Sequence, residues 1–370
     1  MTKKIRVGVI FGGKSGEHEV SINSAKSIMA SLDPTQYSTL PIGISKTGKW
    51  HTGPKAMHEL EAAAQIPLSE PSFVQPHNSS DPVPSSETSL APTQLPEEID
   101  VVIPVLHGSY GEDGTIQGLL ELLDIPYVGA GVLASAVGLD KIVMKQLFAS
   151  VGLPQVDFTF YTRKSWQAAP ESIVDDVETK LGYPCFVKPA NLGSSVGISK
   201  AKNREQLREA LALAASYDRK IIVEKGVDAR EIEVAVLGND EIKTSVPGEV
   251  IPSNEFYDYN AKYINGESAL TIPAELPFET EREIRQLAVK AFQTIDGSGL
   301  ARVDFFLERA TNRLLVNEIN TMPGFTIFSM YPKLWEATGL SYSELIDTLI
   351  RLAIERQQEK LQTRTDFPTQ

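Results

Sequence analysis

The sequence predicts an α/β protein that opens with a parallel sheet and changes character after Asp140. Three observations carry that expectation. The apolar run Arg6–Phe11 is halted by Gly12-Gly13, as a strand buried on both faces would be. Strand-like and helix-like stretches then alternate, with glycines at the strand ends. From Asp140 a helix leads to an apolar strand and a glycine- and serine-rich loop, and further strands follow.

In chain order, Ser21–Leu32 is helix-like and Leu40–Ile44 is a short strand. Ile66–Glu97 interleaves Pro67, Pro71, Pro76, Pro82, Pro84, Pro92 and Pro96 with serines; it buries too little to join a core and reads as an exposed, flexible insertion. Regular structure resumes with the strand Val101–Leu106, the helix Ile116–Leu123 and the strand Tyr127-Val128. Next come the helix Lys141–Ser150, the strand Phe186–Pro189, the helix Arg204–Ser216 and the strand Ile221–Glu224. Strands at Glu231–Leu237, Arg302–Leu307 and Leu314–Asn320 complete the reading, and no internal repeat stands out.

Composition bounds the function. The 370 residues are 42% hydrophobic and 22% charged, an ordinary balance for a folded protein and enough for two or three domains. A net charge of −13 argues against nucleic-acid and anionic-membrane partners, while leaving room for a local basic pocket. Cys185 is the single cysteine, so no disulfide closes within the chain, which fits a reducing cytoplasm. It lies in an apolar run and reads as core filler. The apolar run at the start is too short for a signal peptide, and no stretch of about 18 apolar residues marks a membrane span.

Four places carry chemistry. Asn191–Gly197 (NLGSSVG) follows a strand that ends near Lys188. Its glycines let backbone wrap a ligand, and its N–H and hydroxyl groups suit phosphate oxygens, although the same composition also suits a surface turn. In Arg302-Val-Asp304 and Glu318-Ile-Asn320 the strand period of two puts each polar pair on one face. If Arg309–Arg313 turns the chain, Asp304, Glu318 and Asn320 meet as oxygen ligands for Mg²⁺ with Arg302 beside them; the bland alternative is a solvated edge hairpin. Met322-Pro-Gly-Phe325 follows at once, and Gly324 can present an N–H to a transition-state oxygen. Gly12–Ser21 is a strand-to-helix turn in which Glu17 can hold an ammonium, and His107-Gly108 follows a strand where α/β sheets bind ligands; a capped helix start and a structural histidine explain the same residues. The remaining histidines show no metal-ligand spacing.

These segments together resemble the D-alanine–D-alanine ligases, a family of the ATP-grasp superfamily. The resemblance runs in order through GGKSGEHEVS, LHGSYGEDGTIQG, DKIVMK, FVKPANLGSSVGISK, VEKGVDAREIEVAVLGN, EFYDYNAKY, ARVDFFLE and VNEINTMPGFTIFSMYPKLW. It implies a parallel-sheet N-terminal domain (1–138, with the insertion 66–97), followed by two ATP-grasp subdomains (139–225 and 226–370) that enclose the nucleotide. It implies that Lys141 and Lys188 contact ATP phosphates under the loop holding Ser194 and Ser195. Glu224, Lys225, Val227 and Glu231 would line the adenine and ribose pocket. Asp304, Glu318 and Asn320 would hold two Mg²⁺ or Mn²⁺. Glu17 and His107 would engage the first D-alanine; Arg302, Gly324, Ser329 and Met330 would place the second and its tetrahedral intermediate. Lys262 and Tyr263 would sit on a closing loop, Asn254–Gly266, with Lys262 reaching nucleotide and substrate. Met330 stands where leucine is common in relatives, a volume-conserving change. A homodimer is a further family expectation.

The implied reaction is ATP-dependent ligation through a D-alanyl phosphate, for peptidoglycan precursors. Tyr263 after Lys262 argues against the relatives that join D-alanine to D-lactate; a D-alanine–D-serine ligase, another ATP-grasp carboxylate–amine ligase and a non-catalytic nucleotide-binding regulator are the other rivals.

Overall fold

Val7, Val9 and Phe11 point one way from strand β1 (Ile5–Gly12) and Gly8 and Ile10 the other, so this strand is buried on both faces. In the computed structural model, which describes residues 3–53, 56–58, 61, 95, 99–251 and 269–364, β1 lies between β2 (Tyr37–Ile44) and β4 (Val101–Pro104), parallel to both. β3 (Trp50–Thr52) adds an antiparallel edge, which the parallel reading did not anticipate. The expected strand at Tyr127-Val128 shrinks to one bridge between Val102 and Tyr127. Helix α1 (His18–Ser31) covers one face of this sheet and α2 (Thr115–Leu122) the other. Except for Leu95, the proline-rich stretch 66–97 lies outside the described residues.

At the end of β1 the chain must turn hard into α1. Gly12 takes φ +90°, and a Cβ there would stand 2.2 Å from the Ile44 carbonyl oxygen, so no other residue fits. The Gly12 N–H donates to Ser21 Oγ (2.8 Å), which in turn donates to the Val105 carbonyl (2.5 Å). That link fixes the start of α1 against the strand that leads to His107.

α3 (Val132–Leu139) and α4 (Lys141–Ser150) lead from this sheet to the second, whose strands β5 (Phe158–Thr162), β6 (Cys185–Pro189), β7 (Ser199–Ala201) and β8 (Lys220–Lys225) run in the order β5-β8-β6-β7, all antiparallel. α5 (Arg163–Ala168), α6 (Pro170–Lys180) and α7 (Arg204–Tyr217) pack their apolar sides on it. Cys185 is buried there, as expected of core filler.

The third sheet is antiparallel throughout: β9 (Ala229–Gly238), β10 (Lys243–Thr244), β11 (Gly248–Ile251), β12 (Ala269–Thr271), β13 (Gly299–Glu308) and β14 (Leu314–Asn320), in the order β12-β11-β9-β13-β14 with β10 on β9. Val303, Phe305, Leu307, Val316 and Ile319 turn inward against α8 (Phe278–Thr294) and α4. α9 (Met330–Ala337) and α10 (Tyr342–Lys360) pack with β9, β11, α1 and the first sheet in one continuous apolar core. No helix among the described residues is long and apolar enough to cross a membrane.

Candidate active site

The β13–β14 hairpin forms as its alternation predicts. Asp304 lies opposite Glu318 and Arg302 opposite Asn320, while on the other side Asp304 faces Glu233 of β9. A bulge after Asp304 sets Val316 opposite Phe305 and leaves Asn317 as the extra residue, which bends the strand where the polar row begins. Arg302 donates from Nε to Asp304 Oδ1 and from Nη2 to Oδ2, both at 2.7 Å, and its Nε stands 2.9 Å from Glu233 Oε2. Burial disfavours the guanidinium charge, but Asp304 and Glu233 outweigh it and hold the pKa well above the ordinary arginine value. Asn320 Nδ2 donates to Asp304 Oδ2 at 3.3 Å.

Among the described residues no three His, Cys, Asp or Glu close on one metal position. The set here is two carboxylates and an amide oxygen on one sheet face. Both Asp304 oxygens accept from Arg302, yet a carboxylate carries about four lone-pair sites. The donors are hard oxygens and few in number; Glu318 and Asn320 border a cavity and Asp304, which borders neither, stands behind them, a set that fits a magnesium-type cation keeping water and phosphate in its shell.

Two adjoining cavities meet at this face. The larger, about 610 Å³, runs between the second and third sheets and is bordered by Lys188, Glu224, Lys225, Val227, Glu231 and Glu318. Phe186, Ile251 and Phe306 add apolar surface to its wall. The smaller, about 70 Å³, is bordered by Glu17, His107, Glu112, Arg302, Asn320 and Gly324. Lys141, Gly193, Ser194 and Glu318 wall both.

Lys141 opens α4, whose first N–H groups are capped by the Asp140 side chain; Ile142 and Val143 both donate to it. Lys141 Nζ donates to the Leu192 carbonyl (2.9 Å) and stands 3.6 Å from Glu318 Oε2. The 191–197 loop is anchored at its start by Asn191, whose N and Nδ2 donate to Asp218 (2.9 and 2.8 Å). Ser194 and Ser195 take φ +50° and +60°, and the Ser194 hydroxyl donates to Glu17, which ties the loop to the start of α1. Lys188 Nζ lies 2.5 Å from Glu224 Oε2, and Lys145 Nζ lies 3.0 Å from Oε1. Burial pushes the Glu224 carboxyl up, but the two ammonium groups prevail and bring it down to about 2.

His107 is buried with Nδ1 3.1 Å from the Met322 carbonyl and 3.5 Å from Glu112, and Nε2 3.3 Å from Ser24 Oγ. Burial lowers its pKa, but Glu112 overrides burial and the net direction is upward. Gly324 borders the smaller cavity, and a Cβ there would approach Ser329 Oγ to 3.2 Å. Ser329 accepts from the Thr326 N–H (3.0 Å), and Met330 is buried in the core shared with α10. Neither Ser329 nor Met330 borders a cavity. Lys262 and Tyr263 lie outside the described residues.

Three charged side chains at the site were not singled out from sequence: Glu112, Lys145 and Glu233. Two carried a readable signal: Lys145 is four residues after Lys141, hence on the same helix face, and Glu233 shares a strand face with Glu231.

Two family models match: the D-ala D-ala ligase N-terminus over residues 6–130 and its C-terminus over residues 147–351. The D-alanine–D-alanine ligase of Heliobacterium modesticaldum is 51% identical, over 98% of each chain. That of Bacillus cytotoxicus is 52% identical, over 96% of this chain and 98% of the relative. Among solved structures, the D-alanine–D-alanine ligase of Coxiella burnetii superposes with TM-score 0.80 at 37% identity, over 98% of this chain and 97% of that one. The VanG D-Ala:D-Ser ligase of Enterococcus faecalis gives 0.78 at 33%, over 95% and 100%. With both halves matched in order and the polar hairpin, phosphate-type loop and lysines gathered around one pair of cavities, the chain belongs to the D-alanine–D-alanine ligase family.

Proposed function

We propose that the chain joins two molecules of D-alanine into D-alanyl-D-alanine for peptidoglycan synthesis, converting ATP to ADP and phosphate. The nucleotide takes the larger cavity, with its adenine and ribose among Glu224, Lys225, the Val227 backbone and Glu231, and its phosphates beneath Ser194 and Ser195 against Lys141 and Lys188. The amino acids take the smaller cavity. Glu17 holds the first ammonium, and His107 stands beside it. A carboxylate oxygen of the first D-alanine attacks the γ-phosphorus, the bond to ADP breaks, and an acyl phosphate results. The amine of the second D-alanine then attacks the acyl carbon; phosphate departs and the nitrogen gives up its proton. The Arg302 guanidinium and the Gly324 N–H face the oxyanion that develops between these steps. Ser329, through the Thr326 N–H, and Met330, from the core, support the turn at Gly324 along which the second amino acid approaches. The role expected of Lys262 and Tyr263 is to exclude water that would hydrolyse the acyl phosphate. Asp304, Glu318 and Asn320 would hold magnesium or manganese, which when bound neutralises phosphate charge.

The observation that carries this reading is the shared wall: Lys141, Ser194 and Glu318 border both cavities, so a terminal phosphate in one lies next to a carboxylate in the other. The same proposal takes 1–138, 139–225 and 226–370 as domains, a homodimer as the assembly and the cytoplasm as the place of action. Relatives sharing half of the sequence favour D-alanine at the second position over the D-serine of the more distant VanG enzyme. Phosphate release from ATP and the identity of the product are the test, with D-alanine, L-alanine, D-alanine plus D-serine, D-alanine plus D-lactate, or no addition. D-alanine alone should support full turnover, and Asp304→Ala should abolish it while the protein still melts cooperatively. Dominant turnover with D-lactate or D-serine would overturn the substrate assignment.

A further inference from the structure

Lys145 is the deepest charged group near the nucleotide cavity, yet it borders neither cavity. Its side chain is 1% exposed, and among the described residues Glu224 is its only ionic partner. The ring of Phe158 lies 5.9 Å away. Glu224 is thus shared: one oxygen faces Lys145, and the other holds Lys188, which does border the cavity.

Neutralising one buried carboxylate takes one ammonium, and a second buried lysine is costly unless its charge has a use. Within this trio two lysines on one glutamate leave one positive charge over, which Glu318 and Glu231 of the same cavity also feel and which an anion there would meet. The division of labour follows from geometry. Were Lys188 the sole cation on Glu224, its move toward a phosphate would strand a buried carboxylate. With Lys145 in place, the carboxylate keeps a partner throughout. We infer that Lys145 is a positioning residue for nucleotide binding: as the fixed counter-ion of Glu224, it frees Lys188 to turn to the phosphates. Burial pulls the Lys145 ammonium below its ordinary value against the pull of Glu224, whereas Glu224 and Glu318 hold Lys188 above its own despite burial.

The inference rests on the nucleotide reading above, so its test separates the two. ADP and adenosine binding to the full-length chain are measured by calorimetry, with magnesium present, for the wild type, Lys145→Met and Lys145→Met/Glu224→Gln. In Lys145→Met, ADP affinity should fall roughly ten- to hundredfold, the scale of a charge-assisted phosphate contact, with adenosine affinity within about twofold of wild type. The KM for ATP should rise with it while the KM for D-alanine holds. In the double variant a neutral glutamine no longer retains Lys188, so the preference for ADP over adenosine should recover. Unchanged ADP affinity in Lys145→Met, equal loss of ADP and adenosine, or no recovery in the double variant would each overturn the role of Lys145. A wild type that binds neither ligand would instead bring down the nucleotide reading itself.

Discussion

Glu224 shows how a single buried residue is set by its neighbours. Its carboxyl is held near a pKa of about 2 against burial because two ammonium groups reach its two oxygens. The folded value is depressed, so the ionised form contributes stability that is fully present above the ordinary value of 4.5 and is lost as pH falls toward 2. Glu224→Gln should therefore melt below the wild type at neutral pH, with the gap narrowing as pH falls from about 4.5 toward about 2, where the wild-type carboxyl protonates. Melting temperatures of both proteins at pH 7, 5, 4 and 3 check this. A gap that stays constant with pH would show that the ion pairs contribute nothing to folding.

At the scale of elements, α4 brings two lysines one turn apart to the same place, Lys141 toward the 191–197 loop and Lys145 toward Glu224. Its start depends on Asp140, which caps two N–H groups and is also paired with Lys220 of the second sheet. Asp140→Ala removes both functions. It should cost about 1–2 kcal/mol and raise the KM for ATP, because the first turn carries Lys141. Asp140→Asn keeps the cap and should lose less than half as much. Urea melts and ATP kinetics on both variants distinguish them; equal losses would assign the effect to the Lys220 pair instead. The β13–β14 hairpin behaves differently, since its polar row is fixed by register with β9 as well as by its own turn.

On the scale of the whole molecule, the C-terminal helix is what ties the last residues to the first sheet. Arg356 stacks 4.3 Å over the Tyr127 ring and donates to the carbonyls of Tyr127 and Gly129 and to Ser298. The Tyr37 hydroxyl, at the start of β2, donates to Asp347 of the same helix. Arg356→Met would leave two carbonyl groups without their donor and should destabilise the fold by roughly 2–3 kcal/mol. Because α10 shares its core with β1, β4 and β9, the first and third sheets should unfold in one calorimetric transition, whereas the second sheet has a core of its own. Separate transitions for the first and third sheets in the variant would show that the first sheet folds without that helix.

Patterns along the chain were enough to specify the local parts of the fold. The period of two placed Arg302 with Asp304 and Glu318 with Asn320, and an apolar run halted by glycines marked β1. The helix Lys141–Ser150 and the strand Leu314–Asn320 run just as their patterns predict. These features depend on neighbours along the chain, so the chain displays them. Tertiary structure alone decided the pairings across long loops. Lys145 needed Glu224, Ser194 needed Glu17 and His107 needed the Met322 carbonyl, each pair far apart in the chain and joined only where separate elements pack together. Nor does alternation within a strand reveal a bulge at Asp304 or an edge strand as short as Trp50–Thr52. Charge in a buried site is set by what surrounds it in space, and a linear pattern holds only what is adjacent in the chain.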